Sequence, residues 1–590
     1  MKSFYKKTFH LLKIFLLKIE NLIIKGISDC REMFLFSILM SIAVNLLGSS
    51  TNWFLSCLFP IFDCYILCVI IHLLCKIHLK PIGWILACFI VLFLCGEMFT
   101  LFFYHSLYSP HVVQLIFETN QRESREFVKL CLVQPSLWYA VIGGVAAYGV
   151  SYGIGYCSRR DFWFKSFFRF ILFAIIIWSG IRQISSYSRL YNIFNFQNIA
   201  QFYSEPMPHT DTPFVRFVYG VAFNKACTMQ LEQLQSSVRA TTVENCSFRS
   251  PLIVLVIGES YNKYHSQIYN PDYLPTTPRL AQMISSGNMI AYKDVVSPFN
   301  LTTDVFKYLF SLWDEECPED WTHYTLFPAI FKKAGYNVYF ITNQFVAKDI
   351  DFHNVVGGTI FNHTNLSNLQ FTYRNKESYQ YDLDLLQEIP SVDSLTSHPS
   401  LVIVHLIGQH MDYREKYPAG FDKFKPEDEK TSFGGETGKV ISSQYDNATY
   451  FNDYVVNSLL KRFKDTECIA IYLSDHGEEV YDWRAIFGRT REPEMTIEIA
   501  RNQYEIPFFF YMSDSYSLKH PDIIKEIKDS YKKPLISTDL CHILLYLGGI
   551  QTPHYKETLN ILSPQYNIER KRIIRGDVNY DELIKNKSFK

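Results

Sequence analysis

The sequence predicts an N-terminal five-helix transmembrane domain followed by an exported α/β domain with a mostly parallel sheet flanked by helices. Three observations predict it. Residues 33–181 are dense in Phe, Leu, Ile and Cys, whereas residues 186–590 read as an ordinary soluble protein. Lys and Arg are distributed unevenly among the loops of the first part. Beyond residue 250, short apolar runs alternate with helical stretches, as strands joined by crossover helices do.

The five apolar runs are 33–49, 53–77, 81–105, 135–157 and 163–183, each near the roughly 20 residues that a helix needs to cross a hydrocarbon core. No short apolar run with a small-residue cleavage site precedes them, so no cleavable signal peptide is expected. Residues 1–32 carry seven Lys or Arg, the 76–80 loop carries Lys76 and Lys80, and the 158–165 loop carries Arg159, Arg160 and Lys165. The positive-inside rule then places the N-terminus in the cytoplasm and everything after residue 184 outside it. The 106–134 loop is external by the same count, its Arg122, Arg125 and Lys129 offset by Glu118, Glu123 and Glu126. Asp63 and Glu97 lie within apolar runs, where acids mark function by default. Each also fits a span end or a polar pairing, so neither is assigned.

A length of 590 residues exceeds one core, and a net charge of -1 offers nucleic acid no partner surface. The expected organisation is a cytoplasmic segment at 1–32, the spans within 33–184, a connector at 185–249, a catalytic domain at 250–565 and a basic tail at 566–590. The connector segment "TPFVRFVYGVAF" (212–223) fits either a membrane-surface helix or one packed on the globular domain. Of 14 cysteines, nine fall in the first 157 residues, where Cys acts as a small hydrophobe. The other five are Cys227, Cys246, Cys317, Cys468 and Cys541, an odd number that permits at most two disulfides. Cys468 opens a buried strand and is expected to be a free thiol.

Four predicted strands end alike. "LIVLVIGES" runs into Glu259 and Ser260, "YNVYFITNQ" into Asn343 and Gln344, "LVIVHLIGQH" into His410, and "CIAIYLSDHG" into Asp475 and His476. Ligands of open α/β sheets bind beyond the carboxyl ends of the strands, so polar side chains gathered there form a candidate site. Singly, a strand-end Glu reads as a helix cap and an Asp-His pair as a turn. Together, these N and O donors suit a borderline divalent ion such as zinc.

A nucleophile could complete such a site. In "VVSPFNLTTDVFKYLFS" (295–311), Thr302 and Thr303 open an amphipathic helix, and a hydroxyl at a helix N-terminus sits where anions are favoured. The plainer reading is that Thr302 only caps the helix.

The motifs "VLVIGES", "PTTPRL", "SP…TT", "HLIGQHMDYREKYP" and "YLSDHGEEVYD" resemble those of the phosphoethanolamine transferases, membrane enzymes of the alkaline phosphatase superfamily, and the likeness covers nearly the whole chain. The resemblance implies an alkaline phosphatase-like domain with one zinc ion held by Glu259, Thr302, Asp475 and His476, and Thr302 as the nucleophile loaded with phosphoethanolamine. It implies substrate contacts at His410 and Lys348, and at Thr119 and Glu123 of the external "ETNQRES" segment. It also implies a multi-pass protein of the bacterial inner membrane, monomeric, with a periplasmic catalytic domain. The donor is then phosphatidylethanolamine and the acceptor an outer-leaflet glycolipid such as lipid A, whose modification weakens cationic peptide binding.

Two departures stand out. Family members bracket the nucleophile with cysteines where this chain has Pro298 and Tyr308, and a family histidine after the Asp-His pair is absent. Arg489 is the nearest polar residue there, which argues against a second zinc and for a direct phosphate contact. Three other readings share parts of the pattern: a phosphoglycerol transferase of an anionic glycopolymer, a sulfatase, and a non-enzymatic membrane sensor. The C/S-x-P-x-R motif of formylglycine sulfatases does not occur near 298–306.

Overall fold

The computed structural model describes residues 29–48, 58, 60–104, 107–110, 112–113, 135–157, 166–193, 212–344, 357–489 and 494–585. They divide into two units, Met1–Gln230 and Leu231–Lys590. The first unit is helical: α1 (Arg31–Gly48), α2 (Pro60–Lys76), α3 (Lys80–Tyr104), α4 (Pro135–Cys157) and α5 (Ser166–Ile193) follow in order. Their sequences are apolar on every face, as expected of helices that meet lipid or one another rather than water. Four of them contain stretches long and apolar enough to cross a membrane: Arg31–Gly48, Lys80–Phe102, Leu137–Ile154 and Ile171–Ile193. The predicted span at 53–77 corresponds to α2, which at 17 residues is too short to count by that measure. Residues 53–57 of that predicted span lie outside the described residues.

Both acids noted within the apolar runs, Asp63 and Glu97, have partners. Asp63 accepts a hydrogen bond from the Tyr187 hydroxyl. Glu97 is fully buried and takes a bidentate contact from Arg216, with Nε at 2.8 Å and Nη2 at 2.9 Å. The backbone N–H of Tyr108 adds a third bond to Glu97 at 3.1 Å. A buried carboxylate satisfied this fully is stable without a ligand. Arg216 lies on α6 (Pro213–Arg239), a 27-residue helix that contains the predicted surface segment. Farther along α6, Leu234 and Val238 pack into the core of the second unit.

The second unit is built on a seven-stranded mixed sheet. Its strands are β1 (Leu252–Gly258), β2 (Met289–Tyr292), β3 (Asn337–Thr342), β4 (Tyr373–Arg374), β5 (Ser400–His405), β6 (Cys468–Ser474) and β7 (Phe508–Met512), and their spatial order is β2-β7-β6-β1-β5-β3-β4. The pairings β6/β1, β1/β5, β5/β3 and β3/β4 are parallel, whereas β7 pairs antiparallel with both β6 and β2. The sheet is therefore parallel across β6-β1-β5-β3-β4 and antiparallel at the β2-β7 edge.

Continuous apolar strands such as "LIVLVIG" arise when both faces of a parallel sheet are covered. All seven residues of β1 are buried. Ile253, Leu255 and Ile257 enter one core with Val305, Phe306, Leu309 and Phe310 of α7 (Thr302–Phe310). Leu252, Val254 and Val256 enter the other with Val455, Val456 and Leu459 of α8 (Gly435–Lys461). Alternation along one strand thus fixes α7 and α8 to opposite faces. Helices α9 (Ile497–Tyr504) and α10 (Leu540–Gly548) complete the elements that bear on function. None of Cys227, Cys246, Cys317, Cys468 and Cys541 is in a disulfide. The basic tail is anchored: Arg570 pairs with Asp539 and Glu315, and Arg572 with Asp294 and Asp581.

Candidate metal centre and active site

In the parallel register Gly258 of β1 lies opposite Ser474 of β6. The next residues of both chains, Glu259 on one and Asp475 and His476 on the other, therefore leave the sheet side by side. All three are fully buried, and one ligand atom from each lies within 4.8 Å of the others. The two chains are tied together just beyond the strands. Asp475 N–H donates to Gly258 O at 3.0 Å, and Tyr261 N–H donates to His476 O at 3.0 Å. Between them Ser260 adopts φ 57°, a left-handed conformation costing about 1–2 kcal/mol. In that conformation its N–H donates to Asp475 Oδ1 at 3.1 Å, and its hydroxyl donates to Glu259 Oε1 at 2.9 Å.

Thr302 is the first residue of α7, and the N-cap is Leu301, whose side chain makes no capping bond. The plainer reading of Thr302 as a cap therefore gives way. Its hydroxyl instead points at the cluster: Oγ1 lies 3.0 Å from Glu259 Oε2, 3.2 Å from Glu259 Oε1 and 3.4 Å from His476 Nε2.

The donor set can be tested for a metal on its own geometry. His476 Nδ1 donates to Gly477 O at 2.8 Å, which leaves Nε2 with a lone pair facing the cluster. Nε2 lies 3.2 Å from both Glu259 Oε1 and Asp475 Oδ2. Asp475 Oδ2 is buried and accepts no hydrogen bond from the described residues, while Oδ1 takes the N–H groups of Ser260 and His476. Lone pairs facing one another this closely repel unless a cation lies between them. A tetrahedron with bonds of about 2.0 Å has edges of about 3.3 Å, and these separations match it. The residues fit zinc.

The electrostatics agree. Burial alone would raise the Glu259 carboxyl, but His476, with His410 and Arg489, holds it well below the usual range. Burial, reinforced by Glu259, pushes Asp475 well up. Burial and Arg489 push His476 down.

Arg489, at the end of the short hairpin Glu479–Gly488, places Nη1 against His476 Nε2 and 3.4 Å from Glu259 Oε1. Its Nε lies 3.4 Å from Glu478 Oε2, and Tyr413 donates to the other Glu478 oxygen at 2.8 Å. An ion and the guanidinium would contend for the same imidazole lone pair, and Glu478 holds the other edge of the guanidinium.

The predicted strand ending at His410 closes earlier, because β5 stops at His405. His410 follows on a loop whose Ile407 and Gly408 N–H groups are held by Asp382 at 2.9 Å each. Gln344, one of the strand-end residues gathered at the sheet edge, donates from its Nε2 to Glu259 Oε2 at 3.1 Å. Its place on the same sheet edge was the available signal. Glu478 was likewise visible in "SDHGEE" but given no role. Lys348, Thr119 and Glu123 lie outside the described residues.

The sulfatase family model matches residues 251–550. The chain belongs to the sulfatase family. Among curated relatives, this sulfatase-family chain is 28% identical over 319 residues to phosphoethanolamine transferase EptC of Escherichia coli O18:K1:H7 (strain RS218 / NMEC), covering 53% of each chain. It is 25% identical over 474 residues to phosphoethanolamine transferase CptA of Salmonella typhimurium (strain LT2), covering 78% of this chain and 79% of that one. It thus spans about half the length of the EptC relatives it matches. The solved C-terminal periplasmic domain of EcEptC from Escherichia coli, in complex with Zn, is 27% identical with a TM-score of 0.49, covering 58% of this chain and 96% of that one.

Proposed function

We propose that this protein transfers phosphoethanolamine from phosphatidylethanolamine to lipid A or another outer-leaflet glycolipid through a phosphoethanolamine ester of Thr302. The observation that carries this reading is the Thr302 hydroxyl, set at a helix N-terminus within hydrogen-bond reach of the buried Glu259 and His476. The names of the curated relatives support the transferred group.

Glu259, Asp475, His476 and Thr302 Oγ1 would hold one zinc ion. Bound there, zinc would lower the pKa of the threonine hydroxyl and act as a Lewis acid toward the phosphoryl group. In the first half-reaction Thr302 Oγ1 bonds to phosphorus and the P–O bond to diacylglycerol breaks. Glu259, which accepts the Thr302 hydrogen in the resting arrangement, is the nearest acceptor for that proton, which ends on the departing diacylglycerol oxygen. In the second, a phosphate or hydroxyl oxygen of the acceptor attacks the same phosphorus, and Thr302 recovers a proton as it leaves.

Arg489, His410 and Lys348 bind the phosphoryl oxygens, and the guanidinium offers them its planar fork. Thr119 and Glu123 receive the ethanolamine, the carboxylate facing its ammonium. The four helices able to cross a membrane support a membrane-held enzyme, with the N-terminus cytoplasmic, the catalytic domain periplasmic and the chain monomeric in the inner membrane. The domain limits proposed above follow from that topology.

The test is to incubate the full chain in detergent with phosphatidylethanolamine and lipid A and to follow the lipids by mass spectrometry. Lipid A should gain about 123 Da, the mass of the transferred group, with equimolar diacylglycerol. Transfer from phosphatidylglycerol instead would replace this reading with phosphoglycerol transfer.

A further inference from the structure

His265 lies beyond the donor set, in the stretch that follows Glu259. It is 2% exposed and sits between two carboxylates: Nδ1 is 2.7 Å from Asp446 Oδ1 and Nε2 is 2.9 Å from Asp482 Oδ1. Both ring nitrogens can donate only when the imidazole is charged. Although burial opposes that charge, Asp446 and Asp482 hold the His265 pKa well above its usual value. The Tyr273 hydroxyl donates to the remaining Asp446 oxygen at 2.9 Å, and the Tyr445 ring stands edge-on to the imidazole at 5.0 Å.

The three groups come from three segments that meet at the candidate centre. His265 ends the stretch begun by Glu259, Asp482 ends the stretch begun by Asp475 and His476, and Asp446 lies on α8. Other bonds stitch the same segments together. Asn262 Nδ2 donates to Glu478 O at 2.9 Å and to Asn502 Oδ1 at 3.0 Å. Tyr445 of α8 accepts from Asn262 N–H and donates to Ser260 O, both at 2.7 Å. Val480 N–H donates to Asp482 Oδ2 at 2.9 Å.

We propose that His265, clamped between Asp446 and Asp482, is a positioning residue that fixes the spacing between the Glu259 loop and the Asp475–His476 loop. This rests on the metal-centre reading above. The distances within the donor set are set by two loops from strands more than 200 residues apart in sequence, and beyond the backbone pairing at the strand ends their far sides are held by side chains, Asn262 reaching Glu478 O and Asp482 Oδ2. His265 closes that far side with an ion pair on each flank. Removing it leaves the buried Asp446 carboxylate without its counter-charge and Asp482, whose side chain is 23% exposed, free to turn to water, so the loops separate.

The test is zinc affinity, measured by competition with a chromophoric chelator on the full-length protein in detergent at a temperature where each variant is folded. His265→Gln should weaken zinc binding by about 10–100-fold, the usual range for groups that orient ligands. The double variant His265→Gln/Asp446→Asn removes one orphaned charge and should recover most of the loss. The loading rate with phosphatidylethanolamine should fall, while the donor concentration at half-maximal rate stays unchanged. If His265→Gln does not fold, Asp482→Asn carries the same comparison with a smaller expected loss. Wild-type affinity in His265→Gln, or a loss that Asp446→Asn does not relieve, would overturn the proposal. Wild-type protein that binds zinc but is never loaded would instead defeat the transferase reading, leaving the His265 comparison intact on affinity alone.

Discussion

Thr302 Oγ1 lies 3.0 Å from Glu259 Oε2, although Glu259 follows β1 and Thr302 opens α7, 43 residues later. The carboxylate both accepts the threonine hydrogen and faces His476. Glu259→Gln keeps the shape but removes the charge. Zinc affinity should fall at least about 100-fold and loading should cease, while thermal stability holds, because an amide is cheaper to bury than a carboxylate. Thr302→Ser, which retains the hydroxyl, should still load, more slowly. Chelator competition and loading assays on the same preparations check both.

Arg489 contends with a metal for His476 Nε2, so its removal separates two roles. Arg489→Ala should bind zinc at least as tightly as wild type, since a competing positive charge is gone. Loading should nevertheless fall about 10²–10³-fold, the scale of losing one donor to a developing phosphoryl charge. Arg489→Lys should recover little, because a point charge does not reproduce the fork. Weaker zinc binding in Arg489→Ala would make the guanidinium a support for the centre rather than a substrate contact.

Gly477 follows the Asp-His pair, and a Cβ there would stand 2.1 Å from the backbone oxygen of Asn502 on α9. Backbone on both sides leaves nothing flexible to yield. Gly477→Ala should therefore cost about 3 kcal/mol or more and displace His476, whose Nδ1 is aimed by the Gly477 carbonyl. A lowered unfolding temperature together with lost zinc affinity is the expected pair of results.

The strand-end residues were legible because an apolar run that stops on Glu, Asp or His exposes its chemistry whatever the rest of the chain does. Thr302 was half legible: the helix start was visible, but only the fold shows that Leu301 is the N-cap and that the hydroxyl reaches Glu259. The clamp at His265 was invisible. Its partners are 181 and 217 residues away, and each alone is an ordinary polar residue. The antiparallel edge was equally hidden, since "FFFYM" and "MIAY" carry no mark of strand direction.

Stability should respond to pH through His542 of α10. It is 2% exposed, its Nδ1 accepts the Lys556 N–H at 3.2 Å, and burial, aided by Lys556 and Arg570, pushes its pKa down to about 3. The folded chain thus keeps this imidazole neutral, while the unfolded chain protonates it below about pH 6.5. Its contribution is full above that value and is lost as pH falls toward 3. At pH 5 the loss is about 2 kcal/mol. His542→Asn should therefore show a smaller drop in unfolding temperature between pH 7 and pH 5 than wild type; an equal drop would mean that the imidazole is free to protonate in place.

The central claim is that Thr302 carries the transferred group. Peptide-level mass spectrometry of the full-length protein after incubation with phosphatidylethanolamine, beside Thr302→Ala, tests it most directly. The account predicts an increment of about 123 Da on the peptide containing Thr302, absent from the variant. The same increment on another residue, or its persistence in Thr302→Ala, would contradict it.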